Sequence, residues 1–173
     1  MKSFAKDMAG EALAVIETRN LTYTYPGATK PSIEDVSITI ERGEFAILTG
    51  PSGCGKTTLC RCFNGLIPHF YGGKLEGDVV VADLKVVEHS IYELARHVGL
   101  VFQNPENQLF ALSVEKDVAF GLENLAVPRD EMRKRVDWAL QITGIEELSE
   151  RSPHELSGGQ QQRVAIACVL AMQ

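Results

Sequence analysis

Between Glu44 and Leu66 the chain reads EFAILTGPSGCGKTTLCRCFNGL, an apolar run that breaks into glycines and then resumes with helical spacing. Gly50 to Thr57 (Gly50, Pro51, Ser52, Gly53, Cys54, Gly55, Lys56, Thr57) fits G-x-x-x-x-G-K-[ST], set between a run suited to a buried strand and a helix. That order constrains the fold more than anything else in the chain. Glycines let the backbone curl so that successive N–H groups point inward, and the helix adds the partial positive charge of its N-terminus. Such a loop is suited to phosphate. Lys56 would reach the β- and γ-phosphates, the Thr57 hydroxyl can ligate Mg²⁺, and Thr58 is placed to add a hydroxyl. The competing reading, a glycine-rich structural turn, does not call for the strand and helix on either side.

The remaining pattern supports an α/β class. ALAVIETRNLTYTYPG reads as a strand closed by a turn at Pro26 and Gly27, and IEDVSITIERG alternates Val36, Ile38 and Ile40 with Ser37 and Thr39. These two predict a half-exposed antiparallel layer. EFAILTG and VGLVFQ are instead short, continuously apolar runs of the kind expected for strands buried on both faces. GDVVVADLKVV returns to strand, and Ser90 is placed to cap a short helix in IYELARH. Beyond Gln103 the character is helical. Val114, Val118, Leu122 and Leu125 share one face, Met132, Val136, Ala139 and Leu140 share another, and Gly144 ends the second helix. No internal repeat or low-complexity tract interrupts the pattern.

Composition narrows the function classes. A formal charge of -6 with no clustered Lys/Arg stripe argues against nucleic acid as a partner. Arg133, Lys134 and Arg135, the compact basic run, read as a solvated helix face. No run of about 18 apolar residues exists, so no membrane-spanning helix is expected. The leader MKSFAKDMAGEALAV carries Asp7 and Glu11 and lacks an apolar stretch, unlike a signal peptide. Cys54, Cys60, Cys62 and Cys168 form no CxxC or zinc pattern, which suggests reduced thiols. His69, His89, His97 and His154 show no metal-ligand spacing, and Trp138 reads as a core residue.

The segment LSGGQQQRVAIACVLA supplies a second phosphate-type loop, where Ser157, Gly158 and Gly159 precede an amphipathic helix. Alone it is an N-cap with two glycines. Together with GPSGCGKTT it resembles the ATP-binding cassette family, the nucleotide-binding subunits of ABC transporters, whose signature motif it matches. VGLVFQNPENQLF is similar to that family's Q-loop, with Gln103 as the residue approaching Mg²⁺ and the attacking water. LTYTYPG resembles its adenine-stacking segment, with Tyr25 as the aromatic against the base and Tyr23 as competitor. NGLIPHFYGGKLEGDV and FQNPENQLFALSVEKDVAFGLENL resemble the energy-coupling factor branch, the cobalt- and vitamin-uptake ATPases.

The resemblance runs from about Ile16 to Gln173 and implies an α/β P-loop NTPase core with an N-terminal antiparallel β layer and a helical subdomain. It implies one cassette domain over 1–173, with the β layer and P-loop core in 1–103, the Q-loop and helical subdomain in 104–156, and the signature helix in 157–173. It further implies ATP and Mg²⁺ as cofactors, a head-to-tail partner cassette and an integral membrane subunit at the cytoplasmic face of the membrane. Ser157, Gly158, Gly159 and Gln160 would then contact nucleotide held by the partner, while Glu106 and Asn107 would border the membrane-subunit groove, with a plain surface loop as their other reading. The expected function is ATP-driven import of a vitamin or metal ion. Two rivals share the engine: a soluble translation or repair ATPase, and a non-catalytic nucleotide-binding fragment. The family pattern continues past the signature helix with a strand ending in Asp, a catalytic Glu and a His switch, none of which lies within the sequence. The expectation is therefore the N-terminal part of a longer or tandem cassette, inactive as this chain alone and with exposed apolar strand edges.

Overall fold

The computed structural model describes residues 14–172, so the reading of the leader up to Leu13 lies outside the described residues. The chain divides into two compact units between Val98 and Gly99.

In the first unit β1 (Ala14–Thr24) pairs antiparallel with β2 (Ile33–Glu41), as the alternating pattern predicts. Thr18 is almost fully buried, and its hydroxyl donates to Val36 O and accepts from Ile38 N, both at 3.0 Å, beside a register shift in the ladder. That side chain satisfies backbone groups that the irregular pairing would otherwise strand. After α1 (Lys56–Phe63) and the one-turn helix α2 (Leu66–His69), β3 (Lys74–Val81) returns to the other side of β1. β4 (Leu84–Lys85) follows through a tight turn in which Ala82 and Asp83 both have positive φ. The sheet order is β2-β1-β3-β4. Leu21, Tyr23, Val79 and Val81 of its inner face pack against Leu59, Phe63, Ile67 and Leu94. Leu94 comes from α3 (Ile91–Leu94), which Ser90 and Glu93 close with a reciprocal capping box.

The second unit contains α4 (Val114–Asn124), α5 (Arg129–Thr143) and α6 (Gly158–Ala171). Val114, Val118 and Leu122 of α4 meet Val136, Ala139 and Leu140 of α5 and Val164, Ala165, Ala167 and Ala171 of α6. Gly144 ends α5 at φ 63°, a left-handed cap of the type glycine favours.

Three expectations change. EFAILTG and VGLVFQ are not strands: residues 44–50 and 98–103 carry no regular pairing, and Phe45, Ile47 and Leu48 are 88%, 77% and 49% exposed. A doubly covered strand needs hydrogen-bonded neighbours on both edges, and no described strand pairs with either segment. Trp138 is not core either, being 41% exposed, because the buried stripe of α5 is Val136, Ala139 and Leu140 and position 138 falls outside it. Leu125 and Met132 lie at the margins of their faces and are only partly buried.

Candidate functional site

The start of α1 is an assembly of donors. Gly50, Gly53 and Gly55 take φ values of 153°, 81° and 92°, a backbone path that L side chains rarely follow. Gly55 also has no room for a side chain, since a Cβ there would lie 2.5 Å from Ser32 O and 2.6 Å from Ile33 Cγ2. It serves as N-cap with no side-chain cap, and the first turn holds no acidic residue, so the positive end of α1 is uncompensated from within. Lys56 folds back along the loop and donates to Gly50 O at 2.8 Å and Pro51 O at 2.7 Å, with Cys54 Sγ 3.5 Å away. The loop residues Pro51, Ser52, Gly53 and Cys54 are exposed, as is Thr57. An ammonium, a bare helix N-terminus and a free-standing hydroxyl with no carboxylate among them suit a phosphate chain.

The two tyrosines of LTYTYPG part company. Tyr23 is fully buried and donates its hydroxyl to Gly72 O at 2.8 Å; burial also holds its pKa above the usual phenol value. It has no face left for a ligand. Tyr25 is partly exposed, packs edge-on to Tyr23 with centroids 4.8 Å apart, and lies edge-on to Tyr71 at 6.2 Å. Its hydroxyl is 3.2 Å from the hydroxyl of Thr58 and 3.4 Å from Arg61 Nη1. The Arg61 guanidinium in turn lies 4.6 Å over the Tyr71 ring. Arg61 and Tyr71 escaped the sequence reading. The available signal was helical spacing, which sets Arg61 beside Thr58 at i+3.

In the second unit Gln103, Glu106 and Asn107 are exposed. Ser157 caps α6, accepting from Gln160 N while Gln160 Oε1 accepts from Ser157 N at 2.9 Å and from its hydroxyl at 3.0 Å. Gly158 and Gly159 are exposed, and a Cβ at either would touch nothing within 4 Å. Asp117 also went unremarked in the sequence. It is 4% exposed, and its Oδ1 accepts from Phe110 N and Ala111 N at 3.1 and 3.0 Å, which fixes the loop that leaves Phe110 and Leu112 exposed.

Among the described residues no group of three or more His, Cys, Asp and Glu side chains could hold a metal ion. His69 Nε2 and His89 Nδ1 sit 2.8 and 2.9 Å from the carbonyls of Val86 and Lys85. The four cysteines are unpaired; burial pushes Cys62 and Cys168 up to about 12, and Cys54 is exposed.

The family model for ABC transporter matches residues 33–173, a span that includes the α1 loop and the capped start of α6. The chain belongs to the ABC transporter family. Its fold is accordingly the α/β P-loop architecture of an ABC ATPase, of which the described residues form the antiparallel sheet and the helices. A putative ABC transporter ATP-binding protein of Methanosarcina acetivorans is 49% identical over 94% of this chain and 25% of its own length. The energy-coupling factor transporter ATP-binding protein EcfA1 of Bacillus licheniformis is 45% identical over 91% of this chain and 54% of its own. Among solved structures, cbiO1 from Clostridium perfringens, described as part of the ABC transporter complex cbiONQ, superposes with a TM-score of 0.80 at 40% identity, covering 94% of this chain and 62% of that one. The dimeric cassette MJ0796 bound to ADP and Pi superposes at 0.75 with 32% identity, covering 90% and 69%. This ABC family chain thus spans between a quarter and about half the length of these two curated relatives.

Proposed function

We propose that the chain is the nucleotide-binding part of an energy-coupling-factor-type ABC ATPase that drives import of a vitamin or metal ion through a membrane partner. The observation that carries this reading is the start of α1, where Lys56 and an uncapped helix end meet in a glycine-shaped loop with no acidic residue in the first turn. Gly50 to Thr58 hold the phosphates. Lys56 trades its bonds to two loop carbonyls for phosphate oxygens, a charge-assisted exchange that strengthens both partners. Thr57 holds Mg²⁺ with the phosphates, and the ion supplies neutralisation of the charge that develops on phosphoryl transfer. Its exposed hydroxyl fits one position of an oxygen-ligated ion that keeps most of its waters. Tyr25 offers its ring to the base, since Tyr23 is buried.

Gln103 serves the metal and the attacking water, and Ser157, Gly158, Gly159 and Gln160 face nucleotide bound by a partner cassette. The dimeric state of MJ0796 with ADP and Pi supports that division of labour. The membrane partner docks on the helical unit near Glu106 and Asn107, which puts the protein at the cytoplasmic face of the membrane as a peripheral subunit. No helix among the described residues is long and apolar enough to cross the membrane itself. The test has two arms. Calorimetric titration with MgATP is expected to show binding that Lys56→Met weakens, and affinity purification from membranes is expected to recover an integral membrane protein. Binding unchanged by Lys56→Met, or recovery of nucleic acid in place of a membrane protein, overturns the reading.

A further inference from the structure

The hydroxyl groups of Tyr25 and Thr58 join two features that the family pattern treats separately, the aromatic for the base and the helix for the phosphates. We infer that Arg61, Tyr25 and Thr58 form a directional hydrogen-bond chain that turns the Thr58 hydroxyl into a phosphate donor and locks the Tyr25 ring to α1. Arg61 and Tyr71 act in it as positioning residues. The inference rests on the proposed reading of the α1 start as a phosphate site.

Once a phosphate oxygen takes the Thr58 O–H, the direction follows from donor inventory. A guanidinium has donors only, so at 3.4 Å the Tyr25 oxygen accepts from Arg61 Nη1. Tyr25 then donates its own O–H to Thr58 Oγ1 at 3.2 Å, the acceptor within its reach. Thr58 accepts there and keeps its own O–H for another acceptor. Without a phosphate the order reverses, Thr58 donating to Tyr25 and the partly exposed Tyr25 hydroxyl turning to solvent, so the bound phosphate sets the direction. Thr58 is 7% exposed, and its hydroxyl makes no other hydrogen bond among the described residues. Of the two O–H groups in this pair one lacks a protein acceptor, and a phosphate oxygen at the start of α1 supplies it.

The ring side of the chain is equally constrained. Tyr23 lies edge-on to Tyr25 at 79° and is itself held by Gly72 O, while Tyr71 lies edge-on at 88°. Tyr71 also carries the Arg61 guanidinium on its face, which fixes the fork that reaches Tyr25. Base-facing ring and phosphate-facing hydroxyl are therefore two ends of one network. Occupancy at one end firms the other.

The test titrates the full chain with MgATP, inorganic tripolyphosphate and adenosine. Tyr25→Phe keeps the ring and its packing and removes only the hydroxyl; it is expected to weaken MgATP and tripolyphosphate binding by about 3- to 10-fold and adenosine, which still meets the ring, by less. Arg61→Met shifts the same two ligands in the same direction, and Arg61→Lys, which retains a donor, recovers part of the loss. Thr58→Val weakens the same ligands, and adding Tyr25→Phe to it costs nothing further, because the hydroxyl that Tyr25 directs is gone. Tripolyphosphate binding that is unchanged in Tyr25→Phe, or single-variant effects that add in the double variant, overturns the chain. Should Arg61→Met fail to fold, the Tyr25→Phe and Thr58→Val pair decides alone. An unaltered protein that binds neither MgATP nor tripolyphosphate overturns the phosphate-site reading itself, a result distinct from a neutral Tyr25→Phe.

Discussion

Two helices of this chain begin after glycines, and they begin in opposite ways. α1 has Gly55 as its cap, no side chain closing the end and a lysine curled over the loop. α6 has Ser157 and Gln160 in a reciprocal capping box, so its end is closed from within. The glycines differ in the same sense. Gly55 is required by shape, with positive φ and no space for a Cβ, whereas Gly158 and Gly159 have ordinary φ and open surroundings. Nothing in the fold demands glycine at the start of α6, where alanine would favour the helix. Glycine there leaves the end of α6 clear from outside, as the proposed contact with a partner's nucleotide requires.

The sharpest way to break this contrast is chemical. Cys54 lies exposed in the open loop and Cys168 lies in α6, where burial and the nearby Asp117 push its thiol up to about 12. At pH 8 maleimide or iodoacetamide should modify Cys54 at least about 100 times faster than Cys168, by mass-spectrometric time course, because the thiolate is the nucleophile. Raising the pH toward 11 should speed Cys168, since its thiolate appears only as pH nears its raised pKa. Equal rates at pH 8 would mean that α6 is not packed as described.

Gly55→Ala comes next. Left-handed strain and overlap with Ser32 and Ile33 should cost about 3 kcal/mol, read as a lower denaturant midpoint. Lys56→Met should instead leave stability within about 0.5 kcal/mol and weaken MgATP binding by about 10- to 100-fold by calorimetry. Ser157→Ala removes the cap and should cost about 1 kcal/mol. Gly159→Ala should be the mildest, between neutral and about 0.5 kcal/mol stabilising by thermal unfolding. A Gly159→Ala variant as damaged as Gly55→Ala would erase the distinction between the two helix starts.

The legible parts of the site were those written locally. The α1 loop, the caps at Ser90 and Ser157, and the glycine stop at Gly144 each follow from a few adjacent residues whose side chains or missing side chains satisfy the backbone beside them. The face of α4 was read from period alone; Val114, Val118 and Leu122 are fully buried, while Leu125, assigned to the same face, is only partly buried. What escaped depends on neighbours distant in sequence. Arg61 and Tyr71 gain meaning only because β1 carries Tyr25 across to α1, and Asp117 only because the Phe110 loop folds back onto α4.

The apolar runs are the instructive failure. Phe45, Ile47 and Leu48 have the composition of a covered strand, yet composition states what a segment tolerates and not what pairs with it. By itself the sequence determined the family, the glycine-shaped loop before α1, and the caps at Ser90, Gly144 and Ser157, because each is encoded within a turn or two of chain. Only the tertiary structure decided that Tyr23 is buried while Tyr25 stays open, that Trp138 faces solvent, and that the Thr58 hydroxyl is held by Tyr25. Those outcomes are set by which surfaces meet, and a linear pattern carries no distance between them.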